Sequence, residues 1–234
     1  MTLTLTVSDE VRALAPGFTH VAVEAYGLTN GPTTEASSAL LDDAARRLAA
    51  RLDGRAPHED PHMAAWREVY TAFGSKPSRT RNSAEALAKR ALSDAGLPRV
   101  NVLVDVYNAV SVAHLIPVGG EDLDLIQGGM RLVRATGDED FVTVAGGEET
   151  VEHPDAGEVV WCDEAGVTCR RWNWRQGPRT RLTEGTVSGL FLLESLAPMP
   201  VAEAEAAAAE LAELLEKFSP GARITVHAPH SAAA

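Results

Sequence analysis

The segment from Ser83 to Asp124, SAEALAKRALSDAGLPRVNVLVDVYNAVSVAHLIPVGGEDLD, constrains the chain more than any other. Its first part, Ser83 to Ala95, is rich in Ala and Leu, carries Lys89 and Arg90 on or beside one face, and reads as a helix capped by Asn82 or Ser83. Gly96 and Pro98 end it. Val100 to Ile116 fits two states: its valine content suits a strand, whereas the spacing Val102, Val106, Val110 suits a helix. Pro117-Val118-Gly119-Gly120 reads as a turn, and its glycines would let a backbone approach a ligand closely or simply form the turn.

The flanks alternate between helical and strand-like patterns. Phe18–Gly27 alternates apolar with polar residues and is expected to be a strand, followed by the turn Thr29-Asn30-Gly31-Pro32. Glu35–Leu52 has the spacing of an amphipathic helix, stopped near Gly54 and Pro57. After Gly120 short strands with Gly turns are expected near Met130–Ala135, Phe141–Val144, Glu158–Cys162, Val167–Trp174 and Leu190–Glu194. Asp163-Glu164-Ala165-Gly166 reads as a hairpin turn, with Cys162 and Cys169 flanking it and able to face each other. Val201–Phe218 is an Ala/Glu/Leu helix and Arg223–His227 a last strand; residues 231–234 read as a disordered tail. The mixture predicts an α+β fold over residues 1–234 as a single domain, a mixed or antiparallel sheet flanked by helices.

Composition narrows the class. In 234 residues no apolar run is long enough to span a bilayer, the first residues lack the basic start of a signal peptide, and two cysteines make no disulfide framework, so a cytoplasmic protein is expected. The net charge of −12 argues against a nucleic-acid partner as a whole. The distribution argues the other way: Arg170, Arg171, Arg175, Arg179 and Arg181 occur without an acid between them, and Lys76, Arg79, Arg81, Lys89 and Arg90 face only Glu85. Such residues either form a basic face on an acidic body or are scattered and solvated.

Three local patterns bear on chemistry. His58-Glu59-Asp60-Pro61-His62 has the letters of a zinc motif, but Pro61 within the turn breaks the helix that would align the histidines; Pro61–Phe73 is expected as a new helix, and no metal site is expected. In Arg170-Arg171-Trp172-Asn173-Trp174-Arg175-Gln176, a strand would put Trp172 and Trp174 on one face and Arg171, Asn173 and Arg175 on the other. The Trp pair then belongs either to the core or to the wall of a pocket that meets a nucleotide by charge and stacking. No G-x-S-x-G elbow or Cys–His signature marks a covalent nucleophile.

Taken together, Ser83, Leu87, Arg90, Gly96, Asn101, Val104, Asp105, Val106, Asn108, Pro117 and Asp122 follow in register the pattern S-P-x-W-L-x-x-R-L…G-(I/L)…N-x-V-V-D-V-T-N…P-x-H-A-F-D. In this the chain resembles the tRNA-binding and editing module of the phenylalanyl-tRNA synthetase β subunit. Thr186 and Leu192-Leu193-Glu194 resemble its later parts, so that the likeness covers about Ser83 to Glu194, about half the chain. The resemblance favours a helix from Asp105 onward and implies a free-standing relative that hydrolyses the ester of a mischarged aminoacyl-tRNA in trans, with no cofactor, membrane or DNA involved.

The resemblance also implies a site. Asn108, His114 and Gln176 would act as catalytic ligands of water or the ester carbonyl, and Tyr107, Gly119, Gly120, Trp172, Asn173 and Trp174 would form the substrate pocket. Lys76, Arg79, Arg81, Arg90, Arg171 and Arg175 would grip the tRNA. Asp105 and Asp122 suit structural capping instead. Tyr107, Gly119 and Gln176 replace residues of the family that set its tyrosine selectivity, and residue size at Tyr107, Trp172 and Trp174 points to a small polar amino acid such as a threonine analogue like fluorothreonine. The alternative is a non-catalytic module that binds tRNA or an amino acid.

Overall fold

The protein is known from a computed structural model that describes residues 4–231, with the side chains of Ala145 and Ser231 excepted. The elements in chain order are β1 (Leu5–Val7), α1 (Asp9–Leu14), β2 (Thr19–Tyr26), α2 (Glu35–Leu52), α3 (Pro61–Ala72), α4 (Ser83–Ala91), α5 (Val102–His114), β3 (Val118–Asp122), β4 (Met130–Arg134), β5 (Phe141–Ala145), β6 (Glu148–Glu152), β7 (Val159–Asp163), β8 (Gly166–Arg170), β9 (Arg175–Gln176), β10 (Ser188–Ser195), α6 (Val201–Phe218), β11 (Arg223–Val226) and β12 (His230–Ser231). One sheet runs β1-β4-β7-β8-β9, parallel only at β1–β4; the other runs β11-β2-β10-β3 with β12 also on β2, antiparallel throughout; β5 and β6 form a separate hairpin. The fold is thus the expected single-domain α+β one.

Helix α5 resolves the ambiguity of the valine-rich segment. Almost every one of its side chains is buried, because it packs against α2, α4, α6 and β3 at once. A helix buried on all sides does not need a polar stripe, so its sequence loses the periodicity that marks amphipathic helices. Its start is set by Asn101, whose side chain accepts from the Val104 amide at 3.0 Å. Asp105 is fully buried and accepts from Ser37 Oγ at 2.8 Å and the Val100 amide at 3.1 Å, and Asp122 accepts from Thr186 Oγ1 at 2.6 Å and the Asp124 amide at 3.1 Å. Both are structural, as their side-chain chemistry suggested.

Several local expectations give way. Pro117–Gly120 is no turn: Val118–Asp122 is strand β3, paired along β10 from Val118–Leu193 to Asp122–Gly189. A β-carbon at Gly120 would meet Leu182 Cδ1 and Tyr107 Cε1 at 2.9 Å, so glycine is needed there for close packing. The helix from Ser83 ends at Ala91, earlier than expected, with Leu92 as its cap. Strands β1, β6 and β12 and helix α1 had no expectation; β6 is exposed along most of its length and so lacks an alternating pattern. Cys162 and Cys169 are both free and are not opposite one another: Cys169 pairs with Trp161, and Cys162 with Val167. Ser231 pairs with Thr19, whereas residues 232–234 of the expected tail lie outside the described residues.

His58 lies in a short 3-10 turn, and Asp60 caps α3 by accepting from the His62 amide at 2.9 Å. His62 is buried, with Nδ1 on the Leu115 carbonyl at 3.1 Å and Nε2 receiving the Trp66 indole at 3.0 Å. Among the described residues no group of His, Cys, Asp and Glu is placed to hold a metal ion.

Candidate functional site

A cavity of about 310 Å³ lies between the two sheets, with α4 and α5 along its side. Strand register explains its walls. Trp161, Cys169 and Gln176 are successive cross-strand partners on β7, β8 and β9, and all three line it. On the facing sheet Leu192 and Glu194 of β10 share a face, opposite Phe191 and Leu193, and they line it with Gly119 and Glu121 of β3. Tyr107 and Asn108 reach it from α5, and Ser83, Ala86 and Leu87 from α4.

Residues 171–174 close the wall, and they are not a strand. Arg170 pairs with Arg175, which leaves Arg171-Trp172-Asn173-Trp174 as the four-residue connection of the β8–β9 hairpin. Arg171 and Trp172 have φ of 45° and 67°, a left-handed conformation that side-chain-bearing residues seldom adopt. The period-two alternation expected of this stretch therefore fails, and Trp172, Asn173 and Trp174 all line the cavity. Trp172 is also core, packed edge-on to Phe18 and Trp66 at 5.0 and 5.3 Å between ring centroids.

Two buried carboxyl groups face the cavity. Glu194 accepts from Trp161 Nε1 at 2.9 Å, Trp172 Nε1 at 3.1 Å and Asn173 Nδ2 at 2.9 Å. Tyr70 donates its hydroxyl to Asn173 Oδ1 at 2.8 Å, which fixes the orientation of that amide. Burial pushes the Glu194 carboxyl up to about 7 despite these donors. Glu121 receives Gln176 Nε2 at 2.6 Å, and burial raises its carboxyl to about 8. Glu121 lies opposite Leu190, four residues from Glu194, which puts the two carboxyl-bearing positions roughly 13 Å apart along the strands.

The structure brings most of the expected pocket residues together and leaves others out. Asn108, Gln176, Tyr107, Gly119, Trp172, Asn173 and Trp174 all line the cavity. Gln176 is tied down through Nε2 to the Gly120 carbonyl at 2.7 Å as well as to Glu121, so its carbonyl oxygen is the part left open. Burial pushes the Tyr107 phenol well up, which keeps it a neutral donor. Gly120 lies behind the lining, under Tyr107. His114 is a correction: six residues along α5 from Asn108, it faces away from the cavity and bonds Glu210 on α6 through Nε2 at 2.6 Å.

The arginines also need correction. Arg170 is buried against Glu158, with Nε at 2.9 Å and Nη2 at 2.8 Å from its two oxygens. Arg175 lines the cavity but pairs with Glu152 at 3.3 Å and Thr143 Oγ1 at 2.5 Å; Arg171 pairs with Asp155 at 3.5 Å and lies 4.5 Å over the Trp174 ring; Arg179 pairs with Asp163 at 2.7 Å. Acids distant in sequence, from β6, β7 and their loops, thus neutralise a stretch that contains none. Arg81 pairs with Glu85 at 3.4 Å, and Lys76, Arg79 and Arg90 remain exposed without a carboxylate partner among the described residues. Glu121 was missed because nothing in VGGED distinguishes it from a surface acid; Glu194 had a signal, an acid at the end of the apolar run Leu190–Leu193.

The class these features define is an α+β domain with a partly open, largely apolar cavity lined by buried acids. Residues 65–221, more than half the chain, match the model of the B3/4 domain, and the chain belongs to that family, the one found in phenylalanyl-tRNA synthetase β subunits. Among solved structures it is similar to an N-terminal fragment of the phenylalanyl-tRNA synthetase β subunit from Pyrococcus horikoshii, at 13% identity and a TM-score of 0.47, over 96% of this chain; the chain spans 50% of that fragment. No curated protein matches the sequence. No described helix is long and apolar enough to cross a membrane.

Proposed function

We propose that the cavity receives the aminoacyl end of a mischarged tRNA and hydrolyses its ester in trans. The observation that carries this reading is the convergence of Asn108, Gln176 and Glu121 on one cavity in a chain of the B3/4 family. An aminoacyl ester is already activated, so positioning and oxyanion stabilisation suffice. Gln176 Oε1, held by the two bonds of its amide nitrogen, accepts from the attacking water. Glu121, protonated at neutral pH, and the Asn108 amide donate to the carbonyl oxygen as it gains charge. The water oxygen bonds to the acyl carbon, the bond to the ribose oxygen breaks, and the proton ends on that oxygen. A cavity of about 310 Å³ holds a whole aminoacyl group, so selection for a small threonine-like side chain rests on polarity and not on size.

The test is to incubate the protein with a panel of tRNAs charged with single amino acids and follow loss of the ester. One or more esters hydrolysed faster than the uncatalysed rate, with about a hundredfold loss in Gln176→Ala and Asn108→Ala, is the expected result. A panel untouched by the protein removes the reading. The ion pairs of Arg170, Arg175 and Arg179 favour a second reading, a module that binds an amino acid-like metabolite without hydrolysis. Binding of tRNA that weakens steeply with salt would speak against it.

A further inference from the structure

Buried acids in this protein are held in two ways, some with a counter-charge and some, such as Asp105 and Asp122, by neutral donors alone. Glu158 has Arg170, Asp163 has Arg179 and Glu85 has Arg67. Glu194 and Glu121 belong to the second kind and, unlike Asp105 and Asp122, line the cavity: among the described residues neither forms a salt bridge, and all the hydrogen-bond donors to Glu194 are neutral. A carboxylate offers about four acceptor positions. On Glu194, Oε1 takes two indoles and Oε2 takes one amide, so one position on Oε2 stays open, and the residue lines the cavity. Beside it, Ser83 donates its amide to the Asn173 carbonyl at 3.1 Å, while its hydroxyl is buried without a partner at the same cavity. The one cation among the described lining residues, Arg175, is engaged with Glu152 and Thr143.

We infer that the cavity is a receptor for an ammonium group and that Glu194 holds it. A ligand ammonium supplies the missing counter-charge, fills the open position on Oε2 and gives Ser83 Oγ a donor. The inference rests on the proposed function for its natural ligand: the group is then the free α-ammonium of the aminoacyl ester, and esters with a blocked amine are rejected because an amide cannot replace the charge. The titratable groups facing Glu194 do not compete for that charge. Burial drops His20, its cross-strand neighbour on β2, to about 4, and pushes the Tyr70 phenol and the Cys169 thiol well up, so all three are neutral.

Calorimetry with adenosine carrying an alanyl group on a 3′-amide, which cannot hydrolyse as an ester, tests this against the same compound N-acetylated. The free amine should bind at least tenfold more tightly. At pH 6, where the empty Glu194 is mostly protonated, its binding should release close to one proton, read from two buffers of different ionisation heat, and Glu194→Gln should abolish both effects. Equal affinity for the two compounds, no binding of either, or no proton release overturns the inference; loss of the preference in Glu121→Gln but not in Glu194→Gln overturns the assignment to Glu194. The first comparison and the proton count use the unmodified protein, so they decide even if Glu194→Gln does not fold. Alanyl amide preferred without any ester hydrolysis on charged tRNA removes the proposed function and leaves the receptor; hydrolysis of free and N-acetylated esters alike does the reverse.

Discussion

Glu158 and Glu194 are equally buried, each with 2% of its surface exposed, and they are held in opposite ways. Glu158 immediately precedes β7, the central strand of the first sheet, and takes a bidentate guanidinium from Arg170 together with the Arg171 amide at 3.0 Å. Glu194 ends a strand of the second sheet and takes only neutral donors. A completed ion pair is finished business inside the fold, whereas an acid given orientation but no counter-charge costs stability and remains available to a ligand. Together with its place on the cavity wall, which the structural and equally uncompensated Asp105 lacks, that difference marks Glu194 as a candidate functional acid.

Removing Arg170 should give the largest effect. Arg170→Met strips Glu158 of its bidentate partner and leaves it only the Arg171 guanidinium at 3.6 Å, with an expected loss of about 3 kcal/mol in urea denaturation; a loss under about 1 kcal/mol would erase the contrast. Glu194 predicts a pH effect of the opposite kind. Its folded value, about 7, lies above its ordinary value of 4.5, so the protonated carboxyl is favoured in the folded state. That contribution is complete below the ordinary value and is lost as pH rises through about 7. Compared with the unmodified protein, Glu194→Gln should therefore gain relative stability between pH 5 and pH 8, on the order of 3 kcal/mol. Denaturation curves at the two pH values measure it, and a flat difference would mean that the carboxyl stays charged.

Neighbouring glycines refine the comparison at the cavity wall. Gly120→Ala should cost about 1–3 kcal/mol, because its methyl meets Tyr107 and Leu182, whereas Gly119→Ala, with open space around its β-carbon, should leave the melting temperature unchanged. Equal shifts in the two would contradict the packing of α5 on β3. The smallest effect concerns the exposed cations. Replacing Lys76, Arg79 and Arg90 together with Ala should lower the slope of tRNA affinity against salt by at most about three ion equivalents in a gel-shift titration, and Arg179→Ala should change it little. An equal or larger change from Arg179 would return the paired arginines to the binding face.

How far the sequence could be read depended on whether its signal was local. Asn82, Asn101 and Asp60 cap α4, α5 and α3 because an Asx side chain satisfies amides only two or three residues away. Helices Glu35–Leu52 and Val201–Phe218 were legible to the residue, since each buries one stripe. The pocket residues on α5 and in the hairpin were legible through their pattern, but the conformation that unites them was not. Two left-handed residues at Arg171 and Trp172 turn an alternating sequence into a corner, and propensity argues against that conformation. His114 was misplaced because spacing along a helix tells which residues share a face, not which neighbour that face meets.

By itself the sequence determined the amphipathic helices, most strands, the α+β class and the family, but not α1 or the state of α5, because periodicity, caps and motif register reside in contiguous residues. Only the tertiary structure decided which charges are spent and which are open. Ion pairing depends on approach through space: Glu152, Glu158 and Asp163 close on arginines that no acid precedes or follows within the stretch, while β7 and the β8–β9 connection set two indoles and an amide around Glu194 and bring no cation among the described residues. The electrostatic character of the cavity is a sum over strands distant in the chain, and folding alone performs that sum.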